Sequence, residues 1–205
     1  MKRFSCTVCL RAQSSCICHW VTPVASNVEV LILQHPLEVH EAKGTARLLH
    51  LCLPNSRLVS GEVFDATLFD SPKQSILLYP ETPPDPSLGL LAPPALDPNW
   101  LVKPAQLRLV VLDGTWRKSR KMLYLNPRLQ QMPRMALQNL PTSAYSIRKA
   151  HKADQLSTLE ATCAALMQLE GHAVNTVAFV PLLAAFAGFV SQLVSQQAGF
   201  NSKQV

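Results

Sequence analysis

Two near-continuous aliphatic runs, Val28–Leu33 (VEVLIL) and Leu107–Leu112 (LRLVVL), constrain the fold of this chain more than any other feature. Each ends in four apolar residues without the alternation that marks a strand with one wet face, so both faces must be covered. Strands covered on both faces belong to a mainly parallel sheet flanked by helices. Helical periodicity follows each strand as that architecture requires: Lys43–Cys52, with Ala46, Leu49 and Leu53 on one face, and Thr115–Leu125. Further strands are expected at Arg57–Ser60, Ser75–Tyr79 and, in short form, Arg134–Gln138. Ser157-Thr158-Leu159-Glu160 has the form of a capping box and opens a helix to Leu169. The fold class expected is therefore α/β.

An apolar C-terminal helix includes Val177–Val190, which contains Pro181 and falls short of the ~20 residues needed to span a bilayer. No membrane partner is expected. Residues 80–104 hold eight of the sixteen prolines, and a connection of that length inside a compact domain implies function, such as a lid. The chain has neither G-x-G-x-x-G nor G-x-x-x-x-G-K-[ST], which excludes the common Gly-rich phosphate loops. Lys2 and Arg3 lead directly into cysteines rather than an apolar run, so the expectation is a cytoplasmic protein with reduced thiols. A monomer is expected.

Four of the six cysteines, Cys6, Cys9, Cys16 and Cys18, fall within thirteen residues. In a reducing compartment such a cluster reads as tetrahedral thiolate ligands, and Zn2+ is the natural ion. Disulfides, a redox pair and an iron–sulfur cluster are the alternatives, and His19 could replace Cys18. A four-sulfur set leaves no open position, so the metal would be structural. It would fold a knuckle, residues 1–22, too small to bury a core unaided. Residues 23–205 would form the second domain. Cys52 and Cys163 read as small buried residues.

The net charge is +6, and its distribution carries more information than its size. Between Ala105 and Lys152 there are ten Lys or Arg and a single acid, Asp113. Such a block suits a polyanion, and nucleic acid is the expected partner. Arg117, Lys118, Arg120 and Lys121 open a helix, where the dipole disfavours cations by ~0.3–1 kcal/mol each. Phosphate would supply the missing negative charge there, with Arg148 adding to the face. Asp113 either caps that helix or meets a ligand at the carboxyl end of a strand, where parallel sheets gather theirs. Trp116 is either core or a stacking face for a base.

Several blocks occur together in one order. They are the cysteine cluster; Gln34-His35-Pro36-Leu37-Glu38 with Gly44-Thr45-Ala46-Arg47; Leu77-Leu78-Tyr79-Pro80; Leu112-Asp113-Gly114-Thr115-Trp116 with Lys121-Met122; Tyr145-Ser146-Ile147-Arg148; and Leu156-Ser157-Thr158-Leu159-Glu160-Ala161. In this the chain resembles the DTW-domain family of tRNA-uridine aminocarboxypropyltransferases, in its short form with an N-terminal zinc knuckle. Ser119 departs from the alanine expected of the family.

The resemblance implies a SPOUT-like sheet with a trefoil knot. It also implies S-adenosylmethionine as co-substrate and transfer of its 3-amino-3-carboxypropyl group to N3 of a tRNA uridine, in the variable loop, with release of 5′-methylthioadenosine. The cofactor would be held by Leu78, Tyr79, Pro80, Leu112, Asp113, Gly114, Thr115, Trp116, Ser157 and Thr158. Leu78, Tyr79 and Pro80 would bury the methyl group and present the longer chain. Asp113 would accept or orient the uridine proton, or stabilise the cation. A SPOUT-type RNA methyltransferase and a non-catalytic zinc-dependent RNA-binding module are the competing readings.

Overall fold

A computed structural model describes residues 4–81, 92–138, 156–171 and 176–201. The aliphatic runs become neighbouring strands, β1 (Glu29–Gln34) and β4 (Leu107–Asp113), at the centre of a five-stranded sheet. With β2 (Ser56–Ser60), β3 (Gln74–Leu78) and β5 (Arg134–Met135), the spatial order is β2-β1-β4-β3-β5. Every pairing is parallel. The register sets Gln34 beside Asp113 at the carboxyl ends of the two central strands.

Alternate residues of β1 and β4 feed two separate cores. Val30, Ile32, Leu109 and Val111 face α1 (Ala46–Cys52), α4 (Thr158–Leu169) and α5 (Val180–Asn201). Leu31, Leu33 and Val110 face the opposite side, with Met122 and Leu123 of α2 (Trp116–Leu125) and Leu129 of α3 (Pro127–Gln130). β1 therefore leaves for β2 through a helix on one face, while β4 leaves for β5 through helices on the other. Between strands whose exits diverge in this way, a crevice opens at their carboxyl ends.

Several boundaries moved. The first helix begins at Ala46 rather than Lys43, after a tight turn at Gly44. The strand expected over Arg134–Gln138 pairs for two residues only, at the edge of the sheet beside β3. The C-terminal helix runs on to Asn201. Of the proline-rich connection, Pro98–Val102 and Pro104–Gln106 form short turns of 3-10 helix, and residues 82–91 lie outside the described residues. Among the described residues no helix is long and apolar enough to cross a membrane. Cys52 and Cys163 are fully buried, as expected.

The N-terminal residues dock on α5. Ile17 is wholly buried in the core shared with Phe186 and Phe189. A Cβ built on Gly188 would lie 2.3 Å from the Trp20 ring, so only glycine lets the indole seat there. Trp20 Nε1–H donates to Gln192 Oε1 at 2.6 Å, and Gln192 Nε2 donates to the Cys16 carbonyl.

Candidate active site and metal centre

The four clustered cysteines converge. Their sulfurs all lie within 4.8 Å of one another, with Cys6–Cys18 at 3.6 Å and Cys9–Cys16 at 3.8 Å. Zinc–sulfur bonds of ~2.3 Å in a tetrahedron set the sulfurs ~3.8 Å apart, so the spacing fits that ion. All six cysteines are free thiols. Backbone N–H groups of Cys9 and Val8 bring the Cys6 thiol down to about 6, whereas burial and then Cys6 push Cys18 up to about 12. Four sulfurs this close cannot all carry charge without a cation among them. His19 is not part of the group; its ring lies against Trp20, 4.7 Å between centroids.

The crevice between β1 and β4 holds Asp113, which is only 5% exposed. Its Oδ2 accepts from Gln34 Nε2 at 2.9 Å and its Oδ1 from Thr158 Oγ1 at 2.7 Å. One donor comes from the neighbouring strand and the other from the first residue of α4, so the carboxylate plane is fixed from both sides. Asp113 does not cap α2. The strand continues through Asp113, Gly114 makes the turn, and Thr115 is the N-cap, its hydroxyl accepting from Lys118 N–H. A Cβ on Gly114 would meet Lys118 Cβ at 3.1 Å and His35 Cβ at 3.6 Å, which keeps the turn tight.

α4 begins with the expected capping box: Glu160 N–H donates to Ser157 Oγ, and Ser157 N–H to Glu160 Oε2. Thr45 adds a cap from a distance, its hydroxyl accepting from Leu159 N–H. These contacts tie α4 to the start of α1 and aim Thr158 at Asp113. On the far side of Gly114, His35 Nδ1 accepts from Leu37 N–H while His35 Nε2 lies 2.6 Å from Glu62. This fixes the proton on Nε2. Lys121 reaches the same carboxylate at 2.6 Å and, ahead of His35, holds it below the usual range.

The resulting cleft has a volume of about 240 Å³. Asp113, Thr115, Ser157 and Thr158 line it, joined by Glu38, Lys43 and Lys118. Leu78, Tyr79, Pro80, Leu112 and Trp116 do not. Tyr79 packs in the core on the α2 side, and Trp116, 55% exposed, stacks on it at 5.2 Å with 13° between the rings. Trp116 is thus an outer face rather than core. Gly114 does not line the cleft either, so only four of the ten expected cofactor residues meet there.

The basic helix is partly answered from within the chain. Lys118 pairs with Glu38 at 2.7 Å and Lys121 with Glu62, so acids from other elements supply some of the charge that α2 lacks. Arg117 and Arg120 are exposed, and Arg120 lies over the Tyr124 ring. Arg148 lies outside the described residues. Sequence reasoning gave no role to Gln34, Glu38 or Thr45, although the block containing each was visible.

The family model described as DTW domain matches residues 3–194. The chain belongs to the DTW-domain family. This DTW domain is 27% identical over 179 residues to tRNA-uridine aminocarboxypropyltransferase 2 of Macaca fascicularis, covering 82% of the chain and 57% of that protein. To the protein of the same name in Drosophila melanogaster it is 30% identical over 185 residues, 83% of the chain and 68% of the relative. To tRNA-uridine aminocarboxypropyltransferase A of Arabidopsis thaliana it is 30% identical over 136 residues, 60% and 51% respectively. The chain thus spans little more than half the length of the macaque and plant relatives. No solved structure matches it.

Proposed function

We propose that this DTW domain transfers the 3-amino-3-carboxypropyl group of S-adenosylmethionine to N3 of a tRNA uridine, in the variable loop. The observation that carries the reading is a buried carboxylate, Asp113, held rigidly at the switch point of a parallel sheet, in a family whose named relatives are such transferases. In the reaction the N3 lone pair forms a bond to the terminal carbon of the aminocarboxypropyl chain. The bond from that carbon to sulfur breaks, sulfur keeps the pair, and neutral 5′-methylthioadenosine leaves. N3 loses its proton in the same process. Asp113 would accept or orient it, a role supported by the way Gln34 and Thr158 hold the carboxylate still.

The sulfonium has three carbons open to attack, and alignment selects among them. The stack of Tyr79 and Trp116 supports the reading in which an apolar surface there covers the methyl group, while Leu78 packs on the opposite face of the sheet. Gly114, Thr115, Ser157 and Thr158 would hold polar parts of the co-substrate, with Leu112 behind them. Arg117, Arg120, Lys118, Lys121 and Arg148 would meet tRNA phosphates. The wholly parallel sheet supports the SPOUT-like, knotted topology.

The sulfur spacing supports Zn2+ as a closed structural ion, held by Cys6, Cys9, Cys16 and Cys18; we assign these to a knuckle, residues 1–22, that shares its core with a catalytic domain, residues 23–205. Free thiols support a cytoplasmic location, and a monomer remains our reading of the assembly.

Incubating the protein with S-adenosylmethionine and unmodified tRNA and identifying the by-product by mass spectrometry tests this. 5′-Methylthioadenosine is expected. S-adenosylhomocysteine would make the protein a methyltransferase, and neither product would leave the RNA-binding module.

A further inference from the structure

Residues 38–44 form a thin partition. One side walls the cleft that holds Asp113; the other walls a groove of about 400 Å³ whose far side is the knuckle. Glu38, Glu41 and Gly44 line both. The partition is built of tight turns, with Glu41 N–H donating to Glu38 O at 3.1 Å and Gly44 N–H to Glu41 O at 2.9 Å. A Cβ on Gly44 would press to 3.2 Å from the Glu41 carbonyl. Backbone of this kind has little apolar packing of its own, so its position must be fixed from outside.

Two cations fix it. From α2, Lys118 holds Glu38. From the knuckle, Arg11 Nη1 donates to Ala42 O at 2.5 Å and Nη2 to Gly44 O at 2.7 Å. The same guanidinium lies over the Phe189 ring of α5, 4.9 Å from its centroid, and the Arg11 carbonyl accepts from Cys6 N–H. Leu10, immediately before it, has φ of 62°, a left-handed conformation that a non-glycine residue keeps only where its surroundings impose it. A planar fork that reaches two carbonyls two residues apart is a task for arginine, which lysine cannot reproduce.

We propose that Arg11 is a positioning residue for the transfer reaction: through it the metal-ordered knuckle sets the shape of a cleft that the knuckle itself does not line. The proposal rests on the functional reading above.

The test uses the full chain carrying Arg11→Lys or Arg11→Met, with metal analysis, hydrogen exchange over residues 38–47, and steady-state kinetics on S-adenosylmethionine and tRNA. Both variants are expected to retain wild-type zinc content. Amides of 38–47 should exchange about tenfold faster, and kcat/KM should fall by about tenfold or more, mainly through KM, as for losing a charge-assisted hydrogen bond. Arg11→Met should be the more affected, since lysine keeps a cation over Phe189. Unchanged exchange in both variants would overturn the proposal, as would faster exchange with wild-type turnover. Loss of zinc from both would also overturn it, because Arg11 would then belong to the knuckle's own fold. A wild-type chain that transfers nothing would count against the functional reading alone, and the exchange measurement would still decide the clamp.

Discussion

The knuckle and the Asp113 cleft are both small polar clusters, yet they are held together by opposite means. In the cleft, every anchoring contact of Asp113 described above comes from protein donors already placed by the sheet and by α4. In the knuckle, the sulfurs sit at metal-binding distances and push against one another's ionisation, so a bound cation would be what lets all four ionise together. The difference teaches that one region is held by donors from the fold itself, whereas the other has the geometry of a site that a metal would complete. Perturbing them should give different signatures: stability and metal content for the knuckle, turnover for the cleft.

The largest effect is expected from Cys9→Ser. Structural zinc contributes ~10–16 kcal/mol in small finger peptides, and a lost thiolate should cost the site most of its affinity. Metal analysis and thermal melting should show zinc lost and Tm sharply lowered; a variant with full zinc and unchanged Tm would erase the contrast. Next comes Asp113→Asn, which keeps acceptor geometry toward Thr158 but removes the charge. Transfer should fall ~10²–10⁴-fold in a single-turnover assay, with ~1–3 kcal/mol of folding stability lost where the new amide N–H2 faces Gln34 Nε2. Near wild-type turnover would move the chemistry elsewhere.

Gly188→Ala sharpens the comparison from the docking side. Its Cβ would invade the Trp20 ring, an overpacking cost of ~1–3 kcal/mol. The melting temperature should fall while the apparent kcat of the folded fraction changes little. Arg117→Ala should have a smaller effect still, lowering the log–log salt slope of tRNA binding by about one unit. Lys121→Ala should lower it less, because Lys121 already pairs with Glu62. Equal slopes for the two variants would show that the internal pair makes no difference.

The strands were legible because their signal is local. Val28–Leu33 and Leu107–Leu112 announce burial on both faces without reference to anything else, and Ser157 to Glu160 close a capping box within four residues. The cysteine cluster was legible for the same reason. What was lost depends on partners far along the chain. Nothing near Gln34 says that its amide meets Asp113 79 residues later, and nothing near Thr45 says that it caps a helix 114 residues away. The capping role considered for Asp113 failed because the strand persists to that residue, leaving Thr115 in the N-cap position. The excess charge on α2 was read correctly as excess. Half of its answer, Glu38 and Glu62, lay on other elements where sequence spacing cannot reach.

The seat of Trp20 on α5 has a consequence in time. Trp20 and Gln192 are 172 residues apart, and Ser14 and Gln196 are 182 apart. At ribosomal speeds of ~5–20 residues per second, on the order of 10–30 s separate the synthesis of Trp20 from that of its partner. During that interval the indole that will sit against Gly188 has nowhere to go, and the four thiols beside it are open to whatever metal or oxidant they meet. The segment that carries the four thiols is therefore seated only once α5 has been made, well after its own synthesis.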